Sequence, residues 1–315
     1  MDKQEYNKIG REVVKKYKED ILPKCARFEE ERIKIKNRSY LVLCLAFLVS
    51  VMFFFFPGLI SVESALKITL IIFVVAFGLN YIWAKSFELE VKQSVMRYFC
   101  SCFGDLKWAA LAENIVDDNF IAQSNLFKTN QSSQYDYDDI FKGSFRDVNF
   151  EIIELESYTV TRTVKGRKNR TRQFKGAIIK IKIDKTFNSN TVIRPDSFMH
   201  FSPDLKLKHT TLEDVQFERK FDVFTTDEVE ARYLITTAFM DRLNNLKMAF
   251  NIDKISCAFY NQNLLIGLHT NKDLFKFASI GKSLYDYSEF SKLFKEIMSI
   301  YEMIDYFKFG EKTKI

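Results

Sequence analysis

Two runs in this chain are almost wholly apolar, and each ends in polar punctuation. Tyr40 to Phe56 holds seventeen residues without a charge before Pro57-Gly58 breaks the run. Leu66 to Ala84 holds nineteen, with Lys67 at one edge, Asn80 inside, and Tyr81 and Trp83 at the other edge. At about 1.5 Å of rise per residue the longer run reaches about 28 Å, close to the ~30 Å of a bilayer's hydrocarbon core, and its aromatics fall where an interfacial belt sits. Helices buried in a soluble core rarely run so far without a charge, and a cleaved leader does not follow a long hydrophilic segment such as residues 1–39. The pattern therefore predicts a transmembrane helical hairpin with spans over about 40–56 and 66–84. Pro57 to Ala65 is too short for a domain, so the rest of the chain lies on one side.

Outside the two runs the apolar positions become periodic. Ile9, Val13, Tyr17 and Ile21 recur every fourth residue, as do Phe87, Val91 and Val95, followed by Tyr98, Cys102 and Leu106. These stripes predict helical extensions of the spans that pack as an antiparallel, coiled-coil-like pair, with Pro23 interrupting the first. A helix is expected from Leu106 to about Val116, then strands at Val148–Leu155, Ala177–Ile183, Thr191–Ile193 and Phe221–Phe224. Asp227 caps a long helix reaching Phe250, Asn261-Gln262-Asn263 turns a hairpin between Ile255–Tyr260 and Leu264–His269, and Tyr287–Phe307 forms the last helix. The predicted fold class is α+β: a two-helix transmembrane hairpin with helical extensions, then a domain with a mainly antiparallel sheet packed by helices. The expected divisions are a charged amphipathic arm over 1–38, the hairpin over 39–84, a helical extension over 85–118 and a globular domain over 119–315.

Composition narrows the setting. With 47% hydrophobic and 28% charged residues the chain is neither a disordered tail nor a fibre, and five cysteines without framework spacing indicate reduced thiols. The net charge of +6 divides into +4 over residues 1–38, zero over 39–84 and +2 over 85–315. Arg27, Arg32, Lys34, Lys36 and Arg38 precede the first span, and Lys85, Lys92 and Arg97 follow the second. Basic flanks stay in the cytoplasm, which places both termini there and the short turn outside.

Several segments resemble a bacterial domain-of-unknown-function family, number 3137. They are Phe120–Phe127, Tyr135–Gly143 (YDYDDIFKG), Val148–Glu156 (VNFEIIELE), Phe174–Gly176 leading into Ile181–Phe187, Phe217–Phe224, Val229–Leu234, and Leu264–Phe275 ending NKDLF. The resemblance spans about residues 86–307 and implies paired N-terminal membrane segments, in agreement with the apolar pattern. It implies no established activity and carries no catalytic residues. Together they predict a multi-pass protein of the bacterial inner membrane.

The strongest local chemical signal is Thr161 to Gly176, which holds Arg162, Lys165, Arg167, Lys168, Arg170, Arg172 and Lys175 and no acid. Without those seven side chains the segment after the hairpin would carry a charge of −5. A flexible loop is expected here, and anionic lipid headgroups are the partner that a membrane-tethered cationic loop would meet. A solvated, solubilising tip is the bland reading. Nucleic acid is disfavoured as a partner, because no stacking aromatic interrupts the run; a protein partner or a second copy of the chain is the other class. In Tyr135-Asp136-Tyr137-Asp138-Asp139 three carboxylates fall within five residues, a pattern read as a solvated turn because it lacks the calcium-loop glycine and terminal glutamate. Cys100 and Cys102 have no second ligand pair, His200, His209 and His269 are scattered, and phosphate-cradling glycines are absent, so no metal, cofactor or catalytic set is expected. The predicted function is a membrane-anchored interaction or sensory module; the alternative is an enzyme acting on a membrane-proximal substrate without a recognisable motif.

Overall fold

The computed structural model describes residues 3–55, 61–110, 119–129, 132–162, 167–184, 186–196 and 206–310. In chain order the elements are α1 (Lys3–Lys16), a π turn (Tyr17–Ile21), α2 (Leu22–Phe55), α3 (Val62–Ser101), β1 (Lys107–Ala110), α4 (Asn119–Ser124), β2 (Ser133–Phe145), β3 (Val148–Arg162), β4 (Lys168–Lys182) and β5 (Thr191–Pro195). There follow β6 (Lys208–Thr210), α5 (Val215–Glu218), β7 (Phe221–Thr225), α6 (Glu228–Leu234), α7 (Thr237–Ala249), β8 (Lys254–Tyr260), β9 (Asn263–His269) and α8 (Tyr287–Gly310). The chain divides into two compact units, one of residues 1–10, 100–275 and 291–315, the other of residues 11–99 and 276–290.

The helical unit is built on α2 and α3. Lys24 lies over the ring of Tyr98 at 4.3 Å and Arg38 over that of Trp83 at 4.1 Å, so the pairing runs down one helix as it runs up the other, an antiparallel packing. Val13, Tyr17, Ile21 and Cys25 are buried on one side, and Phe87, Val91, Val95 and Phe99 on the other. Pro23 does not interrupt the arm as expected. The preceding π turn, in which the Leu22 N–H donates to the Tyr17 carbonyl, widens the helix by one residue and accommodates the ring.

The segment 276–290 is tied to α2 by a buried ion pair. Glu29 accepts from Nε and Nη2 of Arg32 at 2.9 and 2.7 Å, from the Leu284 N–H at 2.9 Å and from the Ser283 hydroxyl at 3.0 Å, while Nη1 of Arg32 donates to the Ile280 carbonyl at 2.7 Å. These donors, Arg32 above all, hold the Glu29 carboxyl down from 4.5 to about 2.

In the second unit the described strands form one nine-stranded antiparallel sheet in the order β1-β2-β3-β4-β9-β8-β5-β7-β6. The hairpin β8–β9 turns at Asn261, whose φ is 51°, and its strands occupy the middle of the sheet. Both faces there are covered, which is why their apolar residues run continuously instead of alternating. One face packs Phe259 against Phe239 of α7 and Phe307 of α8; the other packs Ile153, Ile178 and Leu265 with Phe120 and Ile121 of α4. Gly176 has no alternative: its φ is 143°, and a Cβ there would stand 1.8 Å from the Leu268 carbonyl oxygen.

Three local expectations are corrected. The helix predicted from Leu106 gives way to β1 at Lys107–Ala110, because Gly104 at φ 76° ends the preceding turn and the chain pairs with β2; residues 111–118 lie outside the described residues. The long helix from Asp227 is two helices, since Thr236 starts a new one by accepting from the Phe239 N–H at 3.2 Å. The acidic run at 135–139 is strand, not turn.

Replacing Glu29 with Gln in the detergent-solubilised chain lowers stability at pH 7 by about 3 kcal/mol, because Arg32 is left buried without its counter-charge. The carboxylate's contribution is complete above 4.5 and fades as pH falls towards 2. Denaturant melts of the two proteins therefore converge across that window.

Candidate functional site

The basic run forms a β-ribbon and not the flexible loop expected. β3 extends to Arg162 and β4 starts at Lys168, with Arg162 opposite Lys168 and Val160 opposite Arg170. Ladder pairing holds this region extended and leaves only residues 163–167 to connect the strands; Lys165 lies outside the described residues. Charge is distributed unevenly along the ribbon. At its base Lys175 meets Glu156 at 2.6 Å, Arg172 approaches the same carboxylate at 3.6 Å, and the Arg170 guanidinium donates to Asp136 at 2.9 Å while stacking on Tyr158. Arg162, Arg167 and Lys168 stand exposed towards the tip, where Arg162 and Lys168 make no ion pair among the described residues. Three of the seven predicted cations are therefore bound to acids, and Arg162 and Lys168 sit together at the other end of the ribbon.

A second grouping appears where the sequence shows only alternation. β2 carries a bulge: Tyr137 pairs with Leu155 and Ile140 with Ile153, so Asp138 and Asp139 together oppose Glu154. Asp139 is buried and accepts from the Trp108 indole N–H at 2.8 Å. From the far side, Leu274 and Phe275 bury themselves completely, Phe275 at φ 53° against Phe141 and Phe250. Their burial fixes the Leu274 N–H on Glu154 at 2.9 Å and Asp273 beside it. Burial pushes the Glu154 carboxyl up to about 9, with Asp139, Asp273 and Asp138 adding to the shift and the Leu274 N–H opposing it. Asp138 belongs to the acidic run noticed in the sequence; Glu154 and Asp273 carry no linear signal that would join them to it.

The third feature is a cleft around His269. Ser256 Oγ lies 2.8 Å from His269 Nε2, the ring packs edge-on against Phe174, and Arg194 reaches the neighbouring Asn125 carbonyl at 2.5 Å. Openings of about 500 Å³ and about 350 Å³ share His269 and Lys254 in their walls. Burial, then Lys254 and Arg194, pull the imidazole down to about 4. Among the described residues no carboxylate pairs with this histidine to orient it as a base, and Ser256 is fully buried. His209 lies 3.4 Å from Asp222, which lines the smaller of these openings, and His200 lies outside the described residues.

Residues 172–309 match the family described as "Protein of unknown function (DUF3137)". No curated protein matches the chain. Among solved structures, the mycobacterial trehalose monomycolate transport factor A, TtfA, aligns with a TM-score of 0.37 and 7% identity over 66% of this chain and 91% of that one.

A neutral, buried His269 gains a proton on unfolding, so its stabilising effect is present above 6.5 and is lost as pH falls towards 4. Between pH 7 and pH 5 the loss is at most about 2 kcal/mol. It is smaller in a His269→Gln variant, whose amide can still meet Ser256 but does not titrate; denaturant melts at the two pH values make the comparison.

Proposed function

We propose that this chain, whose residues 172–309 belong to the DUF3137 family of proteins of unknown function, is a membrane-anchored interaction or sensory module. One observation carries the reading. α2 and α3 are long and apolar enough to cross a membrane, and only 11% of each apolar window is buried by the protein. Leu41, Leu45 and Leu48 on α2, and Leu66, Leu70, Ile71 and Val74 on α3, are all more than half exposed. Each such side chain gains about 1.5–3 kcal/mol on leaving water, so a row of them requires a lipid solvent. The helices of a soluble core would bury these faces.

Basic flanks favour insertion into the bacterial inner membrane with both termini in the cytoplasm. Arg38 over Trp83 and Lys36 near Tyr40 supply cation and aromatic together at one end of the spans, the composition of an interfacial belt. Arg32 is excepted from the flanking charge, because Glu29 neutralises it. The anchor confines the sheet domain to the bilayer surface, where partners are concentrated in two dimensions, and the cationic tip of the β3–β4 ribbon contacts anionic headgroups. Each basic side chain near such a surface contributes about 1 kcal/mol.

In full-length protein reconstituted into nanodiscs, a fluorophore at position 169 transfers energy to headgroup-labelled lipid more efficiently when anionic lipid is present. Replacing Arg162, Arg167 and Lys168 with Gln removes most of that gain, and so does about 1 M salt, where the Debye length is about 3 Å. Transfer that is indifferent to lipid charge, salt and substitution would leave the ribbon as a solubilising tip.

A further inference from the structure

Glu154 carries an unmet chemical demand. Its residue is 7% exposed, one carboxylate oxygen accepts from the Leu274 N–H, and the other is buried without a hydrogen-bond partner. No basic side chain pairs with it among the described residues. What the orphaned group faces instead is more negative charge: oxygens of Asp138, Glu154 and Asp273 all lie within 4.8 Å of one another. Three carboxyl groups converge at this spacing, and a cation between them would offset their crowding and give the orphaned oxygen a partner.

We propose that Asp138, Glu154 and Asp273 are the protein ligands of a calcium-class divalent cation. The donor set is all carboxylate, which selects hard cations over zinc or copper. Coordination geometry then separates the hard cations. Calcium holds its oxygens at about 2.3–2.6 Å in loose geometry, so oxygens that lie within 4.8 Å of one another can share it, whereas magnesium at about 2.0–2.1 Å demands a near-ideal octahedron and keeps most of its waters. Asp138 and Asp273 are exposed, which gives the ion an entry path and leaves coordination positions for water. Glu154 closes the inner side. Asp139, fixed by the Trp108 indole, adds a nearby negative charge without being one of the three. The site does not depend on the lipid-facing role of the ribbon.

Trp108 also supplies the assay. Terbium replaces calcium in oxygen sites and emits when a neighbouring indole is excited. Full-length protein in detergent, titrated with terbium and excited through tryptophan, gives saturable emission that calcium displaces and equimolar magnesium does not. Trp108→Phe removes the sensitised emission while calcium still raises the melting temperature. Glu154→Gln retains an acceptor for the Leu274 N–H but loses the charge, and Asp138→Asn alters only an exposed position; each weakens terbium and calcium binding by at least about tenfold. Melting in EDTA shows whether Glu154→Gln is folded, and if it is not, Asp138→Asn decides. The proposal is overturned if the wild-type protein gives no saturable, calcium-displaced emission, or if folded variants bind as tightly as it does.

Discussion

Along α2 and α3, from Leu41 to Ile82, the protein leaves its own apolar side chains uncovered. Both helices are long and apolar enough to cross a membrane, where hydrocarbon would satisfy a demand that neither unit meets internally and each helix would satisfy its own backbone hydrogen bonds. Beyond their apolar runs the same two helices and the π turn bury Ile21, Cys25, Phe87, Val91 and Val95. The Glu29–Arg32 pair uses its remaining hydrogen-bonding capacity to hold residues 280–284 by backbone and hydroxyl groups. A charged pair thus fixes a loop where an apolar contact alone would leave backbone donors unmet.

The sheet unit solves a different problem, that of aiming polar groups from a framework covered on both faces. Regular pleating would turn Asp138 and Asp139 to opposite faces and pair one of them across from Glu154. The bulge in β2 sets both against it. A second irregularity in β4, where Ser157 pairs with Phe174 but Tyr158 pairs with Arg172, skips Gln173 and lets its amide reach Thr159 at 3.0 Å. Both departures from the ladder lie next to charged groups, which is where bulges re-aim side chains.

Legibility in the sequence tracked how local each cause is. Length and absence of charge mark the two long helices without reference to anything else, and the Asn261 turn announces the β8–β9 hairpin because its positive φ suits asparagine. Pro23 misled because the remedy, a π turn, lies one turn upstream and has no residue signature. The basic run suggested a loop since Gly166 and Asn169 favour turns, yet cross-strand pairs such as Val160 with Arg170 keep most of it in ladder. Glu154 sits in the alternating stretch FEIIELE and reads like any outward carboxylate; only pairing with a bulged strand and the approach of Leu274, 120 positions later, make it buried. Ser256 and His269 meet in the same way, across adjacent strands.

Lipid exposure of these helices is tested most directly by nitroxide labels placed singly at positions 45, 70 and 75 of the reconstituted full-length chain, with collision rates measured against oxygen and against a water-soluble nickel complex. Lipid-facing helices give high oxygen and low nickel accessibility at all three. Labels that the nickel complex reaches freely would show these faces in water, and the membrane anchor, with the surface-confined role built on it, would be contradicted.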